Sequence, residues 1–464
     1  MNSVRKIATV VATVMLTLSA GSAYATNGYF THGVGTKNKG MAGAGLAMPD
    51  DAISVANNPA AAVFATGRLD AGAGLFSPLR SYSSSESQAN GSFGAFTIGP
   101  NDLDSSREYF IVPHVAYSWE LNPESAFALA FYGRGGMNSE WDGGTASFDP
   151  TFQGGPGQTF DGTYGAALVG QGATAGIDLS QAFLDIAYAR KAGDNFAWGA
   201  SLVVAIQSFA AKGVGSFAGF TETFAASGGT EFPTNLSNNG HELSYGVGAK
   251  VGFQANLGAS TSLAASYVTE IDMSEFDKYA DLFADDGDFD IPANAKIGLT
   301  FRPRDTVAIS IDAEHTWFSD IGSVGNPFSN IFNCPTANPL GTDLSSCLGG
   351  SNGAGFGWED MTTYKVGIEW GVGSDMVWRA GYSHGDQPIP ESEVMFNILA
   401  PGVIEDHFAG GFTRSSGQNS EWSVVVMYAP NNDVTGPNPF DPSQTITIEM
   451  SQWEVEFAYS WRFQ

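Results

Sequence analysis

The C-terminal segment from Trp453 to Phe463 constrains the fold of this 464-residue chain more than any other feature. Every second residue is large and apolar, namely Trp453, Val455, Phe457, Tyr459, Trp461 and Phe463. The residues between them are Glu454, Glu456, Ala458, Ser460 and Arg462. Because successive side chains of a strand point to opposite faces, this strand has one apolar face and one polar face. A strand of a soluble sandwich also alternates, but six consecutive apolar positions rich in aromatic residues favour contact with lipid.

The same alternation recurs from Arg68 onward and predicts a long series of strands. A composition with 58 Gly, 33 Phe, 15 Tyr and 10 Trp is typical of many strands and turns with aromatic residues at interfaces. The predicted strands number fourteen and lie near 68–79, 108–119, 125–135, 180–191, 195–209, 242–255, 261–273, 291–302, 306–318, 361–371, 376–385, 404–414, 420–430 and 446–463.

The connections between these strands alternate strictly between six short turns and seven long segments, among them 136–179 and 431–445. In outer-membrane barrels the periplasmic turns are short and the extracellular loops are long. The sequence therefore predicts an all-β fold, a 14-stranded antiparallel transmembrane β-barrel with both ends of the chain in the periplasm. A purely structural or adhesive barrel would alternate in the same way, so function must be argued from other features.

The segment from Lys39 to Ala62 precedes the strands and resembles none of them. Its glycines and Pro49 break regular structure, whereas its Ala, Met, Leu, Ile and Val residues supply enough apolar surface to need a container. We interpret it as a plug, or hatch, inside the lumen of the barrel. An adhesin has no need of such a plug.

The N-terminus has the features of a secretory signal peptide: Arg5 and Lys6, an apolar run over 7–18, and Ala23-Tyr24-Ala25 as a cleavage site. No later apolar run reaches the roughly 18 residues that a membrane-spanning helix needs. An exported protein without such a helix is either soluble outside the cytoplasm or a β-barrel, and the strand pattern favours a β-barrel of the bacterial outer membrane. Its predicted parts are a cleaved signal peptide at 1–25, a periplasmic-side hatch at 26–66 and the barrel with its long loops at 67–464.

Charge and cysteine usage limit the partners. Forty-eight acidic and 20 basic residues give a formal net charge of −28, which disfavours nucleic acid. The Asp-rich segment 281–290 lacks the spacing of a calcium loop and indicates a solvated acidic loop.

Cys334 and Cys347 are expected to form a disulfide in an oxidising compartment, because two thiols without a nearby histidine do not make a metal site. We expect neither a metal nor a cofactor.

Three groups of residues resemble a known family over essentially the whole mature chain. The most specific is the hatch motif, in which Gly40, Gly43 and Gly45, then Asp50 and Asp51, precede Asn58-Pro59-Ala60. The segment Gln387-Pro388-Ile389-Pro390 with His407-Phe408 is the second group, and His315-Thr316-Trp317-Phe318 is the third. Together they resemble the outer-membrane long-chain fatty acid transporters of the FadL/TodX (OmpP1/FadL) family.

The resemblance implies fourteen strands, an N-terminal hatch in the lumen and passive, diffusion-driven uptake of hydrophobic small molecules without a cofactor. It also implies capture in an apolar groove between extracellular loops and lateral exit through a gap in the wall. We further expect a monomer, surrounded by outer-membrane lipid and lipopolysaccharide, that is not an enzyme.

The third predicted strand ends in a run of glycines that suits a lateral exit. Gly133, Arg134, Gly135 and Gly136 form a segment in which a ladder is weak and a kink is tolerated. Their position resembles that of the kinked third strand of the family. The alternative is a plain strand end that runs into a loop.

The loop from Ala210 to Gly240 carries the predicted capture groove. Exposed aromatic residues in this number are costly unless they bind something, and this loop carries Phe217, Phe220, Phe224 and Phe232, with Lys212 at its base. The groove would take an amphipath with a carboxylate, most simply a long-chain fatty acid. Packing of these Phe side chains among the loops is the alternative, and neutral aromatic hydrocarbons are the alternative substrate.

One motif favours a different class of protein. Gly381-Tyr382-Ser383-His384-Gly385 fits the G-x-S-x-G nucleophile elbow of α/β-hydrolases, which would make Ser383 the nucleophile of an outer-membrane esterase or lipase. The elbow needs a helix directly after the serine, and Pro388 and Pro390 oppose one. The chain also lacks alternating strand and helix units, so we treat hydrolysis as the weakest hypothesis.

Overall fold

The computed structural model describes residues 27–151, 154–337 and 340–463. The predicted signal peptide, 1–25, lies outside the described residues. None of the helices in the described ranges is long and apolar enough to cross a membrane. The architecture is dominated by one large antiparallel sheet that closes on itself.

Fourteen long strands form the closed sheet, and each pairs with the next along the chain. The ring closes where the last strand pairs with the first, from Arg68 opposite Arg462 to Ser84 opposite Ile446. The predicted 14-stranded antiparallel barrel is therefore confirmed. The strands are β1 Arg68–Ser84, β2 Phe110–Asn122, β3 Ser125–Asp142, β4 Thr174–Lys191, β5 Phe196–Lys212, β6 Glu242–Asn256, β7 Thr261–Val268, β8 Asn294–Arg304, β9 Val307–Thr316, β10 Met361–Val372, β11 Met376–His384, β12 Asp406–Ser415, β13 Ser420–Asn438 and β14 Asp441–Arg462.

The faces of β14 have the polarity that its sequence predicts. The outward side chains Val455 and Phe457 are 41% and 50% exposed, whereas the inward Glu454 and Glu456 are 3% and 0% exposed. In a bilayer the outward face meets lipid, so the charged positions of the strand are directed into the lumen.

Several strands continue further at the extracellular end than the sequence pattern indicates. The predicted loop 431–445 is wrong: β13 and β14 remain paired there, with Val434 opposite Ile448 and Thr435 opposite Thr447. Outside the bilayer an outward-facing residue no longer needs to be apolar, so the lipid signature ends before the strand does. In the same way β3 continues to Asp142 and β4 begins at Thr174, inside the predicted loop 136–179.

The remaining elements are short and lie in the hatch or the extracellular loops. Single helical turns are Thr36–Lys39, Glu222–Ala226, Ala284–Gly287, Gly322–Gly325 and Val394–Asn397, and short 3-10 helices are Ala52–Ala56, Pro59–Val63, Ala166–Val169, Gly215–Phe220, Asp277–Tyr279, Phe318–Asp320, Phe328–Asn333, Leu344–Ser346 and Glu391–Glu393. Asp102–Asp104 and Asp272–Met273 extend the barrel sheet, and Phe96–Ile98, Thr145–Phe148 and Gln158–Asp161 make a small sheet above it.

The hatch lies inside the barrel, as the sequence predicts. Val55, Ala60 and Ala62 are fully buried, and hydrogen bonds join the hatch to the Lys250 side chain and the Phe253 carbonyl of β6 and to Asp312 of β9. The Ala52–Ala56 turn packs mainly against β2 and β3, and the Pro59–Val63 turn packs against β4, β5 and β6. The apolar surface of the hatch is therefore buried by the lumen of the barrel.

Candidate functional site

The hatch motif forms turns and caps that rest against the barrel wall. Gly43 has a φ of +85° and a Cβ there would lie 1.9 Å from the carbonyl oxygen of His32, so only glycine fits. Asn58 caps the next turn by accepting a hydrogen bond from the Ala60 N–H at 3.0 Å, while its amide donates to the Phe253 carbonyl of β6 at 3.0 Å. The rest of the motif lies in or beside the same turns: Gly40, Gly45, Asp50, Asp51 and Pro59.

Buried ion pairs and hydrogen bonds join the hatch to the barrel wall. The Lys39 ammonium lies 2.5 Å from Glu454 and 2.7 Å from Glu456, and all three side chains are at most 3% exposed. Burial by itself would lower the pKa of Lys39, but the two carboxylates raise it well above its ordinary value of 10.5. Asp312 of β9 accepts hydrogen bonds from the N–H groups of Gly45 and Leu46, both at 2.8 Å. Removing any of these groups leaves a charge or a donor buried without its partner.

The predicted lateral-exit segment coincides with a break in the wall. Pairing between β2 and β3 ends where His114 lies opposite Tyr132, and the register of β3 against β4 shifts between Gly133 and Gly135. Beyond that point, among the described residues, β2 pairs only with β1. Gly133 to Gly136 therefore lie at a bulge with one free edge.

The N-terminal end of the hatch fills this free edge. The Thr31 N–H donates to the Arg134 carbonyl at 2.8 Å, and the Gly136 N–H donates to the Tyr29 carbonyl at 3.0 Å. The Arg134 guanidinium lies 4.3 Å from the centre of the Phe30 ring and 3.2 Å from Glu314. The gap in strand pairing between β2 and β3 is thus filled by hatch backbone.

A cleft above the hatch holds a buried arginine that has no carboxylate partner in the described chain. Arg80 of β1 is 3% exposed; its Nη1 donates to the Arg107 carbonyl at 3.5 Å, and its Nη2 has no partner among the described residues. The cleft is narrow and must widen before it can admit a ligand larger than a water molecule. Its lining is mostly apolar or small: Met137, Asn138, Trp358, Ala400, Pro401 and Gly402.

This cleft lies between the extracellular loops and the end of the hatch. Trp358 packs against Tyr29 of the hatch with ring centres 5.8 Å apart. A Cβ on Gly402, in the loop between β11 and β12, would lie 2.8 Å from the Trp358 ring and 3.5 Å from the Gly28 carbonyl. Met137 on the wall belongs to β3 just beyond the bulge. The cleft therefore adjoins the break between β2 and β3.

The predicted capture groove does not exist as one exposed surface. Phe217 and Phe220 are buried in an aromatic cluster of the loops, with ring centres 5.2 Å from Phe396 and 5.4 Å from Phe440 respectively. This corrects the expectation of four exposed Phe side chains, because the loops are large enough to have a core of their own. Only the pair Phe224 and Phe232, 5.0 Å apart, reaches the surface, where Phe232 is 68% exposed.

Lys212 is also placed differently from the prediction. It lies at the outer rim of β5, is half exposed, and pairs with Glu140 of β3 at 2.9 Å. Both side chains are on the outside of the barrel wall, away from the buried Phe217 and Phe220. Lys212 is therefore not at the base of an aromatic groove.

The loops are joined by covalent and polar contacts. Cys334 and Cys347 form a disulfide with Cα atoms 4.8 Å apart, and the Cys334 sulfur lies 3.7 Å from the Phe220 carbonyl oxygen. Asp281, at the start of the acidic segment, accepts a hydrogen bond from Thr223 at 2.5 Å and another from the Asn235 N–H at 3.1 Å. This residue is buried and ties two loops together, which corrects the expectation of a wholly solvated segment.

Ser383 lies within β11 and not at a strand-to-helix turn. Its hydroxyl is 3.3 Å from Nδ1 of His407, and both residues are fully buried. The nucleophile elbow requires an exposed serine at a sharp turn. The geometry therefore speaks against Ser383 as a nucleophile.

The sequence interpretation overlooked Arg80 and Lys39. Basic residues are scarce in this chain, with only 20 in all, so each one deserved a role. Arg80 also occupies a lumen-facing position of β1. A charged residue directed into a barrel interior is costly unless it has a partner or a task.

Comparison with known families adds to this geometry. Residues 16–154 match the family of outer membrane transport proteins described as OMPP1/FadL/TodX. No curated protein matches the sequence.

Solved structures match nearly the whole chain at low identity. The P. putida toluene transporter TodX is 16% identical, with a TM-score of 0.58 over 94% of this chain and 99% of its own. A Pseudomonas aeruginosa FadL homologue is 14% identical, with a TM-score of 0.60 over 94% and 100%. The Ralstonia pickettii toluene transporter TbuX is 14% identical, with a TM-score of 0.55 over 94% and 99%. The resemblance predicted from the sequence is thus confirmed: residues 16–154 match the OMPP1/FadL/TodX family of outer-membrane transporters, and the chain folds as solved barrels of that family do.

Proposed function

We propose that this protein takes up hydrophobic compounds across the bacterial outer membrane by passive diffusion, and that its preferred substrates are long-chain fatty acids. The single observation that carries the choice of a fatty acid is Arg80, a buried cation without a carboxylate partner in the described chain, facing a mostly apolar cleft. The family match supports transport of hydrophobic compounds in general.

The physical argument concerns the cost of burying a charge. A guanidinium removed from water loses its hydration, and the penalty is large unless an anion replaces the water. A hydrogen bond to a charged group contributes about 1.5–3 kcal/mol, so a carboxylate would bind this position well. An amphipath with one carboxylate and an apolar chain satisfies both Arg80 and the apolar walls.

The route we propose begins at the loop surface and ends in the bilayer. Phe224 and Phe232 make the first contact with the substrate, and the Arg80 cleft receives it. The substrate then leaves between β2 and β3 once Tyr29 to Thr31 withdraw from the bulge at Gly133 to Gly136. No water-filled pore is needed, and apolar surface stays out of water, where it would cost about 25 cal/mol per Å².

The remaining parts of the proposal concern organisation. A cleaved signal peptide at 1–25 exports the chain, the hatch spans 26–66 and the barrel 67–464. We expect a monomer that contacts outer-membrane lipid and lipopolysaccharide. Neutral aromatic hydrocarbons are the second candidate substrate, favoured by the apolar lining of the cleft and by the likeness to toluene transporters. Neither route involves catalysis.

Uptake by whole cells tests the proposal. Cells with and without the protein are given labelled oleate or labelled toluene, and Arg80→Met is compared with Lys212→Met as a matched control at the outer rim. We expect Arg80→Met to slow oleate uptake about tenfold or more, which corresponds to roughly 1.4 kcal/mol, and to leave toluene uptake unchanged.

The outcomes separate the two levels of the proposal. Equal oleate uptake by Arg80→Met and the parent protein would exclude Arg80 as the carboxylate site. Uptake of both compounds that does not depend on the protein would exclude transport itself. Faster toluene than oleate uptake by the parent protein would favour the aromatic hydrocarbons.

A further inference from the structure

The hatch and the barrel wall meet at a pair of histidine rings that the proposed route does not use. His32 of the hatch stacks on His407 of β12 with ring centres 5.7 Å apart and planes 18° apart, and both residues are fully buried. Ser383 and Gln452 hold His407 in place, at 3.3 Å from its Nδ1 and 3.1 Å from its Nε2 respectively. The serine of the G-x-S-x-G motif is therefore a positioning residue for this histidine.

Charged groups surround the pair on the hatch and on four strands, β9, β10, β12 and β14. The Lys365 ammonium of β10 donates to the His32 carbonyl at 2.8 Å and pairs with Glu314 at 2.6 Å. His32 Nε2 is 3.4 Å from the Lys39 carbonyl oxygen, and the Lys39 ammonium is paired with Glu454 and Glu456. Asp406 precedes His407 on β12, and its carboxylate is bound to Tyr382 and His384 on the outer face.

A proton on either ring is therefore opposed from several sides. The two rings would repel each other once charged, and two ammonium groups lie nearby. His32 Nδ1 has no hydrogen-bond partner among the described residues, so nothing there receives an added proton. Burial lowers the pKa of His32 well below its ordinary value of 6.5, and His407, Lys39 and Lys365 lower it further.

We propose that His32 and His407 form a pH-sensitive latch, which holds the hatch in the barrel while both rings are neutral and releases it when they take up protons. Above about pH 6.5 the rings are neutral whether the hatch is docked or released, so docking is at full strength. Below that pH a released ring binds a proton that a docked ring cannot, and the docking equilibrium weakens up to about tenfold per pH unit for each ring.

The test measures hydrogen exchange of the hatch backbone in the full-length protein, corrected for the intrinsic pH dependence of exchange. Between about pH 7.5 and about pH 5.5 we expect the opening of residues 27–66 to increase about a hundredfold in the parent protein, since two rings titrate over one unit below 6.5. The variants are His32→Phe, which keeps a stacked ring, and His407→Gln, which keeps a polar side chain toward Ser383. Each single variant should retain about a tenfold response and the double variant none.

His315→Gln is the matched control, because His315 lies on the outer face of β9 beside Thr362 and does not touch the hatch. It should respond as the parent protein does. A parent hatch whose opening does not change with pH would overturn the latch, and so would a full acid response in the double variant, which would assign the effect to the carboxylates of the lumen. Migration of the unboiled protein on a gel shows which variants are folded. If the double variant does not fold, a reduced acid response in either single variant supports the latch and an unchanged response overturns it.

Discussion

Two regions of the same lumen bury cations to the same extent, but only one of them supplies carboxylate partners for those cations. Below, Lys39 lies between Glu454 and Glu456, and Lys250 is 2.6 Å from Asp185. Above, Arg80 is just as buried, yet no carboxylate of the described chain pairs with it. Burial alone therefore does not distinguish a structural cation from a binding cation; the presence of a partner within the chain does.

The difference follows from what each cation must do. A paired charge between hatch and wall makes their separation costly, because parting leaves two or three charges without partners. An unpaired charge in a cleft has lost its hydration, and no interaction within the chain offsets that loss of free energy. A ligand that carries an anionic group would offset it. The paired cations thus hold the hatch to the wall, and the unpaired Arg80 is where we propose that a ligand binds.

The largest expected effect comes from Lys39→Met. The substitution leaves Glu454 and Glu456 buried side by side, and loss of one partner of a buried pair costs about 3–5 kcal/mol. The hatch should then open far more often, which increased hydrogen exchange of residues 27–66 and increased leak of small sugars into liposomes would report. Arg190→Met, which breaks the exposed pair with Glu124, is the control and should change little. A hatch as protected as in the parent protein would show that this pair does not hold it.

Arg80→Met should shift stability in the opposite direction. Removing a buried charge without a partner relieves its desolvation, so we expect the free energy of unfolding to increase by roughly 1–3 kcal/mol. Denaturant titration of the purified barrel in detergent measures the change, and the gain should disappear when the parent protein is saturated with oleate. A loss of stability would mean that Arg80 has a structural partner, and the contrast between the two regions would then fail.

The sequence was sufficient for the barrel because the lipid imposes a two-residue period on every strand it touches. Trp453 to Phe463 and the sorting of loops by length were enough to count the strands and to place the hatch. The same physics explains the error at 431–445. Above the bilayer the strands no longer need alternating apolar residues, so the sequence pattern predicts a loop where β13 and β14 are still paired.

The candidate site was less predictable because it depends on partners distant in sequence. Nothing near Arg80 in the chain indicates that it lacks a carboxylate, and nothing near Phe217 indicates that Phe396 covers it. Aromatic residues in a long loop look exposed when the loop is read alone. Several long loops together form a core, and only the assembled structure shows which rings are inside it.

Asn58→Ala should give the smallest effect and the sharpest test of the lower region. Asn58 contributes one cap to its own turn and one hydrogen bond to β6, and neither involves a charge. Loss of such a cap costs about 0.5–2 kcal/mol, well below the expected cost of Lys39→Met. Hydrogen exchange should therefore increase modestly across residues 27–66 and most in Pro59–Val63, with a modest rise in leak. An increase as large as that of Lys39→Met would show that this cap holds the hatch as strongly as the ion pairs do.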